Sequence, residues 1–168
     1  MSHLRRLLAI IVVAFAVTLS TLAPASAMGS KYAGRYYLNS VCPTDAPYFA
    51  VYRALFHGGK KVVRGKDMHG KRLRHTRRAL GWYERSNSAG GHYLLNPPSA
   101  WPTSESAQAT GNMGRAMLRQ SQIIDNLRRL AGRNFIGAWN NYFVPQESTM
   151  SHDSSIARKA LSLPPKGC

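Results

Sequence analysis

Residues 101–130 read WPTSESAQATGNMGRAMLRQSQIIDNLRRL. Trp101-Pro102 closes whatever precedes it, and Thr103 or Ser104 is suited to cap the free N–H groups of a helix start. Behind that cap, Met113, Ala116, Met117, Ile123, Ile124, Leu127 and Leu130 recur at helical spacing. Arg115, Arg119, Gln122, Asn126 and Arg129 fall mostly on the other side. One apolar stripe and one polar face predict an amphipathic helix reaching to about Ala131. Gly111 and Gly114 make its first half the weaker one. An amphipathic helix of this length needs partners for its apolar stripe, so the rest of the chain is expected to supply helices.

Those partners are visible on both sides. Lys31 to Val41, rich in tyrosine, fits a helix or an extended arm and ends at Cys42-Pro43. Thr44 is a candidate cap for a helix over Asp45 to Phe56, with Phe49, Tyr52, Leu55 and Phe56 on one side and Tyr48 beside them. Gly58-Gly59 breaks it, and residues 57–66 read as a basic linker. A second strongly patterned helix is expected from Asp67 to Arg85. Leu73, Thr76, Leu80 and Tyr83 fall on one side of it. Lys71, Arg74, Arg78 and Arg85 fall opposite, with Arg77 at the edge. Gly90-Gly91, Pro97-Pro98 and Trp101-Pro102 predict a loop over Ser86 to Pro102 that packs down through Tyr93, Leu94, Leu95 and Trp101. Asn134 to Phe143 reads as a helix ended by Pro145. Ser151 or Asp153 then caps a last helix over Ser154 to Leu163. No strand-length alternation, internal repeat or low-complexity tract occurs. The fold class expected is all-α, an irregular bundle of about four to five helices in one domain, residues 28–168.

Residues 1–27 have a different character. Arg5 and Arg6 precede an apolar run from Leu7 to Leu22, and Ala25-Ser26-Ala27 follows. This is the pattern of a cleaved export signal, cut after Ala27. The run has 16 residues, short of the roughly 20 that a spanning helix needs. Met28 in place of cysteine argues against a lipid anchor at the cut. No later segment is apolar enough to span a membrane, and the localisation expected is secreted. Of 23 lysines and arginines against seven acids, removal of Arg5 and Arg6 leaves 21, a net charge of +14. Such an excess favours polyanions or anionic surfaces. The two cysteines, Cys42 and Cys168, both lie in the exported part. In an oxidising compartment an even pair is expected to bridge. The alternatives are an intermolecular bridge or two free thiols.

Tyr36-Tyr37-Leu38-Asn39-Ser40-Val41-Cys42-Pro43, the Trp101-Pro102 before a long helix, and the end from Ile156 to Cys168 together resemble a group of small actinobacterial secreted proteins and lipoproteins of unknown function. The resemblance implies a helical domain closed by a Cys42–Cys168 bridge and brings no activity with it. This chain departs from the pattern in lacking the anchor cysteine and in being strongly basic.

The residues that carry chemistry do not assemble into a known motif. His69 and His75, six apart, project about 120° from each other on a helix. No His-x-x-x-His or Cys-x-x-Cys completes a metal site, so no metal or cofactor is expected. His152-Asp153-Ser154 has triad residue types, but neighbours in sequence cannot form the relay. Among the acids, Glu84, Glu105, Asp125 and Glu147 are candidates from which nothing selects a pair.

The one dense signal is cationic. Ten basic residues lie between Lys60 and Arg85 against Asp67 and Glu84. Lys60, Lys61, Arg64, Lys71, Arg74, Arg77, Arg78 and Arg85 are the expected polyanion-binding residues, with Trp82 at the stripe's edge. No nucleic-acid motif accompanies them, so no sequence-specific nucleic acid is expected as partner. The function expected is non-enzymatic binding of acidic envelope polymer or other polyanionic material. A membrane-perturbing cationic effector is the next reading. An extracellular hydrolase is the third, favoured by any cleft that joins two acids.

Overall fold

The computed structural model describes residues 26–57, 61–62 and 64–168. The chain folds as an all-α bundle. Its helices are α1 (Ser30–Val41), α2 (Asp45–Leu55), α3 (Gly70–Leu95), α4 (Ser104–Arg129), α5 (Gly132–Ala138) and α6 (Val144–Ala160). Two-residue strands β1 (Phe56–His57) and β2 (Lys61–Val62) pair antiparallel where the basic linker leaves α2. The export signal expected over residues 1–27 lies almost wholly outside the described residues.

Helices α3 and α4 form the central pair, and α2 and α6 pack on it. The start of α4 is fixed by a reciprocal cap. The Thr103 side chain accepts from the Ser106 N–H at 3.0 Å, and Ser106 Oγ accepts from the Thr103 N–H at 3.0 Å. Of the stripe inferred for α4, Met113, Ala116, Met117, Ile124 and Leu127 are buried, while Ile123 and Leu130 are half-buried at its edge. Two apolar clusters flank the central pair. One gathers Met113, Met117, Met150, Tyr37 and Leu94. The other gathers Leu80, Tyr83, Ile124, Phe135, Trp139 and Phe143. Cys42 and Cys168 are joined by a disulfide with Cα atoms 5.4 Å apart, tying the end of α1 to the tail.

Local readings give way at five places. The Ser86 to Pro102 loop is mostly helix, because α3 runs through Gly90-Gly91 to Leu95. These glycines are packing residues: a Cβ at Gly90 would collide with the Ser40 carbonyl oxygen and Met117 Cε, and one at Gly91 would stand 2.9 Å from the Gly114 carbonyl. Pro145 does not stop the helix it follows. A π turn over Trp139–Phe143, with the Val144 N–H donating to the Trp139 carbonyl five residues back, absorbs the residue that cannot donate. Ser151 and Asp153 therefore lie inside α6 rather than capping a new helix. Thr44 caps nothing, since its hydroxyl donates to the Val41 carbonyl at 2.7 Å. On α2 the buried side is Val51, Ala54 and Leu55, while Phe49 is 58 % exposed.

Candidate functional site

The cationic stripe is a face of α3. Leu73, Thr76, Leu80 and Tyr83 are buried against the bundle, which turns Lys71, Arg74, Arg78 and Arg85 to solvent. The cause is energetic: four buried guanidinium and ammonium groups would need partners, and the seven acids of the chain are shared among 23 lysines and arginines. None of the four forms an ion pair with a described residue; the pairs present are Arg64–Asp67, Arg128–Glu84 and Arg129–Asp125. Trp82 projects beside them, 47 % exposed.

Other members of the expected set are placed differently. Arg77 is half-buried, and its Nη2 donates to the Leu130 carbonyl at 3.1 Å. It closes the C-terminal end of α4 instead of joining the stripe. Arg64 is exposed but sits 3.7 Å from Asp67. Lys60 is outside the described residues, and Lys61 is described only through its pairing in β2. Two cations not assigned to the site come to it from the fold. Arg53, in the last turn of α2, and Arg72 line an open groove of about 480 Å³ with Phe56, Lys71 and His75. Arg53 carries no signal of this in the sequence beyond its place near the helix end, because the groove exists only once α2 packs against α3.

The acids behave in the opposite way. Glu84 is paired with Arg128 at 2.9 Å and Asp125 with Arg129 at 2.6 Å. Glu147, on α6, is half-buried and forms no ion pair with a described residue. Its Oε2 accepts from the Tyr83 hydroxyl at 3.2 Å and from Gln120 Nε2 at 3.1 Å. Burial pushes its pKa up to about 7, and these two hydrogen bonds only partly oppose that. Burial also raises the Tyr48 and Tyr83 phenols, with Glu147 adding to both. Glu147 lines a recess of about 260 Å³ with Asp45, Tyr48, Phe49 and Tyr83. Tyr48 meets Tyr83 edge-on at 5.7 Å between ring centres and Phe49 edge-on at 5.5 Å. Arg158 and the bridged Cys168 also line the recess. Arg158 donates to the Pro164 carbonyl at 3.1 Å and the Gly167 carbonyl at 2.9 Å, which holds the tail down.

The residue triplet His152-Asp153-Ser154 lies along one turn of α6, with the Ser154 hydroxyl 3.0 Å from that of Tyr37. Among the described residues, no group of three or more histidines, cysteines and acids is gathered for a metal ion. No helix among them is long and apolar enough to cross a membrane. Comparison with protein-family models, curated proteins and solved structures finds no match.

Proposed function

We propose that the chain is a secreted, non-enzymatic binding protein that attaches to acidic polymer at or near the envelope of the producing cell. The observation that carries this reading is the unpaired cationic face of α3, continued by the Arg53–Arg72 groove. Cations held in fixed geometry and without internal partners release counterions on meeting a polyanion, whatever its sequence. The leader over residues 1–27 supports export. So does the position of the expected cut, because Met28 is the first buried residue of the described chain and its N–H donates to the Ala100 carbonyl at 2.7 Å. A new amino terminus there would retain that donor.

The test changes Lys71, Arg74, Arg78 and Arg85 together to Gln. Binding to purified cell wall, duplex DNA and anionic vesicles is measured at two salt concentrations. Weaker binding with a flatter salt dependence is expected. On duplex DNA the log–log slope should fall by up to about 0.9 for each phosphate that the variant no longer neutralises. Unchanged binding would make the stripe a solvated helix face. Preference for vesicles with burial of Trp82 would move the function to membrane perturbation.

A further inference from the structure

We infer that the recess between α2, α3 and α6 is a binding site for a small organic monocation, an ammonium or quaternary ammonium headgroup, held by Glu147 and Asp45 against the rings of Tyr48, Phe49 and Tyr83. Its volume of about 260 Å³ is far beyond the roughly 30 Å³ share of one water. It accommodates a headgroup of several heavy atoms. Three of its lining residues, Tyr48, Phe49 and Tyr83, present aromatic rings beside Met113 and Met150, and aromatic rings attract a cation. In a chain with three times more bases than acids, Glu147 is half-buried and yet forms no ion pair with a described residue. Its neighbours Tyr83 and Gln120 donate neutral hydrogen bonds to one oxygen only. On the amide that donates to it, Gln120 Oε1 is buried without a partner, so the carboxyl sits in a polar pocket that is only partly satisfied.

Among the described residues, the one cation that lines the recess, Arg158, does not serve Glu147. Glu147 and Arg158 stand eleven positions apart on α6, about 16 Å of helix rise. Both terminal nitrogens of Arg158 are spent on carbonyls of the tail. An anion would therefore meet two carboxyls and one occupied guanidinium. A cation would meet aromatic walls and a carboxyl whose ionisation it favours. The groups facing Glu147 are the Tyr83 and Tyr48 phenols, both shifted upward and so neutral, and the neutral Gln120, while Asp45 and Arg158 line the same recess. Cation binding is thus expected to weaken as pH falls through about 7, where the carboxyl takes up its proton.

The probe is choline chloride, titrated calorimetrically into the mature chain at pH 8. Saturable binding with a Kd near or below about 1 mM is expected, weakening at pH 5.5. Glu147→Gln should weaken it by at least about tenfold, and Asp45→Asn by less. The quadruple Gln variant of the α3 stripe should bind choline unchanged, which separates this site from the polyanion face. Thermal melts confirm that each variant is folded; should Glu147→Gln fail to fold, Tyr48→Leu takes its place. Absence of saturable binding, an unaltered Kd in folded Glu147→Gln, or competition by acetate would overturn the inference. Tighter binding of glycine betaine than of choline would also overturn it, since the recess would then be reading a zwitterion through Arg158.

Discussion

Gly81 and Gly90 lie about two and a half turns apart on α3, and both are buried, yet they serve different purposes. At Gly90 the neighbours are the backbone of α1, through the Ser40 carbonyl, and Met117 of α4. One residue on, Gly91 faces the backbone of Gly114. This end of the central pair is a close backbone approach, filled with methionines and locked by the disulfide that follows α1. At Gly81 the nearest atoms belong to the Arg128 guanidinium, which spans to Glu84. That end is filled by stacked rings, with Trp139 and Phe143 at 3.8 Å, and carries no cross-link. Backbone cannot yield to an added methyl, whereas the tip of an arginine can. The two ends should therefore respond differently to the same small changes.

The largest effect is expected at the locked end. Replacing both Cys42 and Cys168 by Ser releases a loop with a sequence separation of 126. Chain-entropy reasoning puts the loss at about 5 kcal/mol at most. Native-state hydrogen exchange should show protection falling first in α1 and in residues 161–168, with the Trp139 region holding longer. Equal loss at both ends would mean that the two clusters unfold as one unit and that their difference is only compositional.

Gly90→Ala comes next. Alanine would gain up to about 1 kcal/mol in helix propensity. Against that, its methyl meets the Ser40 carbonyl and Met117 Cε, so α1 must shift or the central pair must open. A net loss of about 3 kcal/mol is expected, read as a lower denaturant midpoint. A neutral result would show that α1 is not held where the packing places it.

Third in size is a pH effect from the recess between the two ends. The Glu147 carboxyl keeps its proton up to about 7 in the folded chain, against an ordinary value of 4.5. Between those values the folded state binds more protons than the unfolded one. Stability from this group is therefore full below about 4.5 and is lost as pH rises through 7, by about 3 kcal/mol at most. Glu147→Gln should flatten this part of the profile and be the more stable protein at pH 8. Parallel profiles in urea midpoints at pH 5 and pH 8 would show that the carboxyl is not desolvated.

The contrast between the ends also explains which features are legible in the sequence. The apolar stripe of α4, its Thr103 cap and the outward cations of α3 follow from spacing alone, because a 3.6-residue period dictates faces locally. Gly90-Gly91 reads as a break by the same local logic. Only the approach of Gly114 and Ser40, far away in sequence, turns it into a helix crossing. Pro145 misleads for a related reason: the π turn that accommodates it depends on Trp139 and Phe143 being buried in the aromatic cluster. Glu147 is invisible as a special acid because the groups that hold it, Tyr83 and Gln120, are 64 and 27 residues away. Arg77 reads as one more stripe cation until the end of α4 arrives to take its hydrogen bond.

The smallest effect is the most discriminating one. Gly81→Ala makes the same chemical change as Gly90→Ala on the same helix. The new Cβ would lie 3.1 Å from Arg128 Cζ and 3.2 Å from Nη2, tight but against the free end of a flexible side chain. Arg128 is about one-third exposed, with 37 % of its side chain accessible, so it has room to swing away. Doing so would loosen its 2.9 Å pair with Glu84, a partly exposed ion pair worth about 1 kcal/mol or less. Against this stands the helix-propensity gain of up to about 1 kcal/mol from removing a mid-helix glycine. The terms nearly cancel, and a denaturant midpoint within about 0.5 kcal/mol of the parent is expected. Raising the salt concentration should cost the variant less stability than the parent, because less of its stability then rests on the Arg128–Glu84 pair. A loss at Gly81 as large as that at Gly90 would mean that the guanidinium is as immovable as backbone, and the distinction between the two ends would fall.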